Sequence, residues 1–195
     1  MPNILTSSRI LISVIIPLLL LLDNTLSIGV LYLIAFTLFI FASITDFFDG
    51  WLARKNNLET EIGRVLDPIA DKLLVILTLI PLISKFNDLF VVSSIIIIFR
   101  EILVSGLRES TKSEELILEV TLLSKWKTAV QFIAISSSLM YISLTHIGIN
   151  NNILNFMMEL SWYFSFLIIP AALLSFLTGF SYLKKVYIFY KKESY

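Results

Sequence analysis

Six apolar runs of about 20 residues make up most of this sequence. They cover approximately residues 5–22, 27–49, 67–84, 89–108, 126–146 and 157–180. An apolar run of about 20 residues can cross a bilayer as an α-helix, which satisfies its own backbone hydrogen bonds in lipid. Hydrophobic residues form 57% of the chain, more than in a soluble domain. We therefore predict an all-α, polytopic membrane protein with six transmembrane helices. No linker or repeat interrupts the runs, so residues 1–195 are expected to form a single domain.

The positions of Lys and Arg predict how the chain lies in the membrane. If the amino terminus is cytoplasmic, the outer loops contain only Lys85, and the other cations outside the spans fall in the inner segments. An excess of Lys and Arg marks cytoplasmic loops. This pattern predicts a multi-pass protein of the cell (inner) membrane with both termini inside. The formal net charge of zero excludes a strongly basic nucleic-acid-binding protein.

The first apolar run is the least regular of the six. It contains Pro17, and its apolar part is short behind Arg9. We expect it to span only if Arg9 lies at the interface and extends its guanidinium towards the headgroups.

Four aspartates, Asp46, Asp49, Asp67 and Asp71, lie within or beside the second and third runs. A charge at membrane depth costs at least a few kcal/mol, and four charges of like sign repel one another at close range. Bound cations are the simplest way to offset this cost. The orientation given above places these carboxylates on the cytoplasmic side.

Helical spacing divides the aspartates into two pairs. Asp46 and Asp49 fall within a helical arc of roughly 100° together with Gly50 and Ala53, which are small enough to leave room for a ligand. This half of the cluster is therefore expected to face a bound molecule.

The second pair, Asp67 and Asp71, is four residues apart and so lies on one helix face, with Pro68 expected in the first turn of that helix. All-oxygen ligation in a chain without Cys points to Mg²⁺ or Mn²⁺. Mg²⁺ commonly completes its shell with phosphate oxygens, and Arg54 is placed to bind a phosphate as well.

The stretch from Asp46 to Asp71 reads D-x2-D-G-x2-A-R-x8-G-x3-D-x3-D, which resembles the signature of the CDP-alcohol phosphotransferase family. Members of this family are integral membrane enzymes that transfer a phosphatidyl or similar group from a CDP-linked donor to an alcohol and release CMP. The resemblance implies two divalent ions held by the four aspartates, with Asp71 also acting as the base. It further implies a binding site for the CDP-linked lipid, formed by Asp49, Gly50, Ala53, Arg54 and Gly63. The branch resemblance described below adds Asn3, Thr6 and Thr60 to this site.

Arg100 and Glu101 lie well inside the fourth apolar run. An intramembrane Arg is costly and should face the protein interior or a wet cavity. Two interpretations stay open at this stage: an internal ion pair with Glu101 or with the aspartates, and an anion site for the phosphate of an acceptor.

Three further segments resemble the phosphatidylglycerophosphate synthase branch of the family. These are P-N-I-L-T-S-S-R-I at the amino terminus, R-E-I-L-V-S-G-L-R-E from Arg100, and the Lys-Trp-Lys that ends at Lys127. The branch implies CDP-diacylglycerol and sn-glycerol 3-phosphate as partners, in membrane lipid, and a homodimer. The acceptor's phosphate would be bound by Arg100, Arg108, Lys125 and Lys127. Tyr182, in the basic aromatic carboxy-terminal segment, is interpreted as part of a membrane anchor.

Two alternatives remain. The same chemistry with another acceptor, such as inositol phosphate, serine or phosphatidylglycerol, would share the signature. A small cation transporter using the aspartates belongs to a different class. The position of the cluster at one membrane face and the absence of an internal repeat argue against it.

Overall fold

The computed structural model describes residues 2–22, 27–56, 61–111, 122–147 and 152–193. All regular structure in these ranges is helical, so the all-α prediction is confirmed. The helices are α1 (Pro2–Leu21), α2 (Ile28–Asn56), α3 (Glu61–Ile83), α4 (Asp88–Thr111), α5 (Leu122–Ile147), α6 (Asn152–Ser165) and α7 (Ile168–Glu193).

Within the described residues, four segments are long and apolar enough to cross a membrane: Ile28–Thr45, Asp88–Thr111, Leu122–Ile147 and Asn152–Lys191. A shorter apolar helix, Thr6–Leu21, lies within α1. Large side chains such as Phe99, Phe176 and Phe180 are exposed within the long segments, which suits contact with lipid. The chain is therefore a multi-pass membrane protein, while the number of six spans stays a prediction.

Two of the differences from the predicted boundaries involve a proline, and proline explains one of them. The sixth run is divided by a turn at Phe166 and Leu167 into α6 and α7. Pro170 then falls in the first turn of α7, where the N–H that proline lacks would have no helical partner. The other difference is that α3 begins at Glu61, so Pro68 lies inside the helix and not in its first turn.

Contacts divide the chain into two compact units, which are described separately. The first unit contains Met1–Lys85 and Phe132–Ser165, and the second contains Phe86–Gln131 and Phe166–Tyr195. Helix α5 contributes to both. The expectation of a single domain stays a prediction.

In the first unit, α1 packs against α2 and α3. The rings of Phe39 on α2 and Phe132 on α5 lie 5.4 Å apart between centroids. The start of α2 also approaches the end of α5 closely, because the Ser143 hydroxyl donates a hydrogen bond to the Gly29 carbonyl at 2.8 Å. A Cβ built at Gly29 would lie 2.8 Å from the backbone nitrogen of Ile147.

Replacing Gly29 by Ala is therefore expected to destabilise the first unit. The added methyl group meets backbone, which cannot move aside as a side chain can, so we expect the free energy of unfolding to fall by about 1–3 kcal/mol. Gly106→Ala is the matched control, since among the described residues no atom beyond its chain neighbours and its own helix backbone lies within 4 Å of a Cβ built there. Thermal unfolding of the detergent-purified protein measures both. Equal melting temperatures for the two variants would contradict the close approach of α2 and α5.

In the second unit, α4 packs against α7. Ile97 and Val104 of α4 are buried. The carboxamide of Gln131 at the second-unit end of α5 donates a hydrogen bond to the Ser175 hydroxyl at 3.2 Å. A Cβ at Gly179 of α7 would lie 2.9 Å from Cγ of Arg100, so this glycine leaves room for the Arg100 stem.

Candidate active site

Asp67 and Asp71 project from one face of α3, as their spacing predicts. The helix is continuous through both residues, and side chains four apart on a helix are neighbours. Their side chains are 49% and 45% exposed. Each carboxylate is therefore half open on one side and held by protein on the other.

Helix α1 supplies the groups that hold this carboxylate pair. Thr6 Oγ1 donates a hydrogen bond to Asp67 Oδ1 at 2.7 Å. Arg9 Nη1 lies 2.7 Å from Asp71 Oδ1, and its Nη2 lies 4.0 Å from Asp67 Oδ1. Arg9 is only 1% exposed. Arg9 therefore does not extend its guanidinium towards the headgroups, because the aspartates of α3 compensate its charge inside the protein.

The resemblance gave Thr6 a role in holding the nucleotide, and the structure shows its hydroxyl bound to Asp67. Gly63, also assigned to the lipid donor's site, is buried in α3. Other predicted donor-site and metal residues lie outside the described residues or have side chains that do: Asn3, Asp46, Asp49, Gly50, Ala53, Arg54 and Thr60. The backbone of α2 is helical from Asp46 to Arg54.

The described part of this site fits a divalent ion in its donor chemistry. Asp67 and Asp71 present two adjacent, partly exposed carboxylates, and Mg²⁺ and Mn²⁺ prefer oxygen ligands of this kind. Among the described side chains, no group of three or more His, Cys, Asp or Glu residues is close enough to hold a metal. The four-aspartate site therefore stays a prediction that needs Asp46 and Asp49.

A second group of charged side chains is buried in the second unit. Lys127 Nζ of α5 forms a salt bridge with Oε1 of Glu101, and Arg100 Nη1 lies 3.5 Å from Glu101 Oε2. All three residues are buried. The internal ion pair considered for Arg100 is thus present. Glu101 forms ion pairs with both Arg100 and Lys127. The sequence alone did not predict the pair with Lys127.

Arg108 and Tyr182 extend this group along α4 and α7. Arg108 Nη2 donates a hydrogen bond to the Tyr182 hydroxyl at 2.9 Å. The Tyr182 ring also lies beneath both guanidinium carbons, 5.2 Å from that of Arg108 and 5.9 Å from that of Arg100. Such distances allow cation–π attraction.

Tyr182 is 2% exposed, so its interpretation as a surface anchor is wrong. The three-residue spacing between Gly179 and Tyr182 would have indicated that Tyr182 lies on a packed face of α7. Residues three apart share a helix face, and a glycine in an otherwise bulky apolar helix marks a close approach. The packing of α7 against α4 turns that face towards the arginines.

Not all four predicted acceptor residues come together. Arg100, Arg108 and Lys127 belong to the buried group, whereas Lys125 is exposed on α5. Lys125 and Lys127 are two residues apart, which places them roughly 200° apart around the helix. A role for Lys125 stays a prediction.

The buried group has an excess of positive charge. Among the described residues, three cations, Arg100, Arg108 and Lys127, are grouped with one carboxylate, Glu101, and of these four only Arg108 is half-buried. In the part of the chain that the structure describes, the Nε atoms of Arg100 and Arg108 are buried without a hydrogen-bond partner. A cation buried without a counter-charge is costly. An excess of cations among the described side chains therefore suits a bound anion.

Comparisons with known proteins agree with these features. Residues 1–176 match the family model described as CDP-alcohol phosphatidyltransferase. A protein of Rickettsia bellii is 39% identical over 184 residues, which are 94% of this chain and 93% of that protein. A Bacillus subtilis protein is 44% identical over 115 residues, 59% of each chain. One from Cereibacter sphaeroides is 44% identical over 115 residues, 58% of this chain and 52% of its own length.

All three relatives carry the name CDP-diacylglycerol–glycerol-3-phosphate 3-phosphatidyltransferase. The family model covers the four aspartates, the cationic residues of α4 and α5 and the first part of α7. The chain therefore belongs to the CDP-alcohol phosphatidyltransferase family.

Proposed function

We propose that this protein transfers the phosphatidyl group of CDP-diacylglycerol to sn-glycerol 3-phosphate, giving phosphatidylglycerophosphate and CMP. This reaction is the first committed step towards phosphatidylglycerol. The family and the shared name of the relatives support the reaction class. The observation that carries the choice of acceptor is the buried cationic group of the second unit.

The charge of that group suits a phosphate monoester. In the described part of the chain, three cations against one carboxylate leave a formal surplus of two positive charges. A phosphate monoester carries about −1.5 to −2 at pH 7. Serine offers no such charge, and phosphatidylglycerol offers a diester with a single negative charge. Inositol phosphate would satisfy the same charge. The names of the relatives favour glycerol 3-phosphate over it.

We assign the binding site for the donor's pyrophosphate to the first unit. Asp46, Asp49, Asp67 and Asp71 would hold two divalent ions, Mg²⁺ or Mn²⁺. When bound, these ions would neutralise the negative charge of the pyrophosphate and the charge that develops on the attacking and leaving oxygens. The rest of the lipid donor's site is formed by Asn3, Thr6, Gly50, Ala53, Arg54, Thr60 and Gly63, together with Asp49.

The transfer itself is direct. The acceptor hydroxyl oxygen attacks the phosphorus that carries diacylglycerol, its proton passes to Asp71, and the bond from that phosphorus to the CMP oxygen breaks. Arg100, Arg108 and Lys127 orient the acceptor through its phosphate, with Lys125 as a further contact. Positioning and charge neutralisation are the main contributions of the protein in such transfers.

The predicted orientation in the membrane places this chemistry on the cytoplasmic side of the cell membrane. The asymmetric distribution of Lys and Arg supports it. The family resemblance supports a homodimer.

CMP release by the detergent-purified protein tests the proposal. CDP-diacylglycerol is supplied with Mg²⁺ or Mn²⁺, and glycerol 3-phosphate, inositol phosphate, serine and phosphatidylglycerol are offered in parallel. We expect release with glycerol 3-phosphate and no release when a chelator removes the metal. Release with another acceptor alone would reject the choice of acceptor. No release with any acceptor would reject the transferase and favour the cation transporter.

Tyr182→Phe tests the acceptor site more finely. The change keeps the aromatic ring beneath the guanidinium groups but removes the hydroxyl that accepts the Arg108 hydrogen bond. A hydrogen bond to a charged group contributes about 1.5–3 kcal/mol. We therefore expect the KM for glycerol 3-phosphate to rise about tenfold and the KM for CDP-diacylglycerol to stay unchanged.

The matched control for this variant is Tyr187→Phe, since Tyr187 lies on the same helix and is 68% exposed. Steady-state CMP release measures both variants. An equal change in the two KM values for Tyr182→Phe would show that Tyr182 supports the fold and not the acceptor.

A further inference from the structure

We propose that Arg9 is a positioning residue for the carboxylates of α3, holding Asp67 and Asp71 in the orientation in which they bind the divalent ion. The inference rests on the metal site of the proposed function and adds a group that the aspartate signature does not contain. A single guanidinium of α1 reaches both aspartates, at 2.7 Å from Asp71 Oδ1 and 4.0 Å from Asp67 Oδ1.

Burial shows from which side Arg9 acts. Its side chain is 2% exposed, whereas the carboxylates are 49% and 45% exposed. The guanidinium therefore approaches them from inside the protein, and the two contacts given above are with the Oδ1 atoms. About half of each aspartate side chain is exposed on the side away from Arg9, so a metal ion can approach there without displacing Arg9.

Thr6 completes the arrangement. Its hydroxyl donates to Asp67 Oδ1 at 2.7 Å, and it lies three residues before Arg9 on the same face of α1. Two side chains of one helix thus hold two carboxylates of the helix packed against it. Groups that orient metal ligands in this way commonly change metal affinity or activity 10–100-fold when they are mutated.

A competing effect has the opposite sign. A guanidinium close to a divalent ion repels it, so an Arg9 that only compensated charge would weaken metal binding, and its removal would tighten it. An Arg9 that orients the ligands strengthens binding, and its removal weakens it. The sign of the affinity change therefore distinguishes positioning from charge compensation alone.

The test is Mn²⁺ binding to the full-length, detergent-purified protein without any substrate, followed by the electron paramagnetic resonance signal of free Mn²⁺. We expect Arg9→Met to weaken Mn²⁺ binding about tenfold or more. Arg9→Lys should weaken it less, because an ammonium keeps the charge but cannot reach both carboxylates as a planar fork does. Thr6→Val should also weaken binding, through Asp67.

Ser13→Ala is the matched control. Ser13 is a buried polar residue of the same helix whose hydroxyl bonds to the Ile10 carbonyl within that helix, so Mn²⁺ affinity should be unchanged. Thermal unfolding of the metal-free variants checks that each is folded.

Equal or tighter Mn²⁺ binding by folded Arg9→Met would overturn the proposal. If Arg9→Met does not fold, Arg9→Lys decides, and unchanged affinity in that variant would overturn it as well. The binding measurement uses no substrate. A wild-type protein that binds Mn²⁺ but releases no CMP would therefore reject the proposed reaction and leave the role of Arg9 standing.

Discussion

Asp71→Asn is expected to reduce CMP release from CDP-diacylglycerol by about 10³-fold or more. The change removes the group proposed to accept the hydroxyl proton, and general base catalysis contributes typically 10²–10⁴-fold. It also removes one proposed metal ligand with almost no change in volume. The loss should therefore appear in kcat and should not be restored by higher concentrations of either substrate. Steady-state CMP release at saturating glycerol 3-phosphate measures it.

The matched control is Asp88→Asn. Asp88 is an exposed acid in the first turn of α4, where the helix dipole stabilises a carboxylate. It has no proposed chemical role. This variant should keep its activity. Because Asp71 is paired with Arg9, thermal unfolding of Asp71→Asn must be measured beside its activity. A folded Asp71→Asn that retained more than a few per cent of kcat would contradict the assignment of Asp71 as the base.

Arg108→Met is expected to raise the KM for glycerol 3-phosphate about 100-fold while leaving the KM for CDP-diacylglycerol nearly unchanged. The change removes one of the two surplus positive charges of the buried group. A hydrogen bond to a charged group contributes about 1.5–3 kcal/mol, and each 1.4 kcal/mol is a factor of ten. Arg108→Lys should recover part of the loss, since it restores the charge but not the planar guanidinium held by Tyr182.

Kinetics with each substrate varied in turn measure the two KM values. Lys184→Met serves as the control, because it removes a positive charge from an exposed position on α7, the helix that carries Tyr182. It should leave both KM values as they are. Equal increases in both KM values for Arg108→Met would show that Arg108 supports the protein structure, and would remove the argument for a phosphate-bearing acceptor.

Local sequence was sufficient to predict the helices and the family. The apolar runs predicted an all-α membrane protein because a chain in lipid must satisfy its backbone within each segment. The spacing of Asp67 and Asp71 predicted that they share a helix face, which depends only on helical periodicity. The aspartate signature likewise indicated the family that the comparison with known sequences confirms.

Helix ends were less predictable than helices. The split of the last run between α6 and α7 depends on a turn that places Pro170 in a first helical turn. The position of Pro68 inside α3 shows that a single proline does not always mark a helix start. Pro170 follows the preference of proline for a first helical turn, whereas Pro68 departs from it, and the preference alone does not reveal which of the two will occur.

The tertiary structure alone decided which charged and polar side chains meet. Considered within its own run, Arg9 was expected at the interface, because a guanidinium without a partner is costly in an apolar segment. Its partner Asp71 is 62 residues away in the sequence and is reached only when α1 packs against α3. Tyr182 and Arg108 are 74 residues apart and meet only when α7 packs against α4. The sequence determined which charges the membrane protein must compensate. Helix packing decided which side chains compensate them, because the cost of burying a charge depends on partners that are distant in the chain.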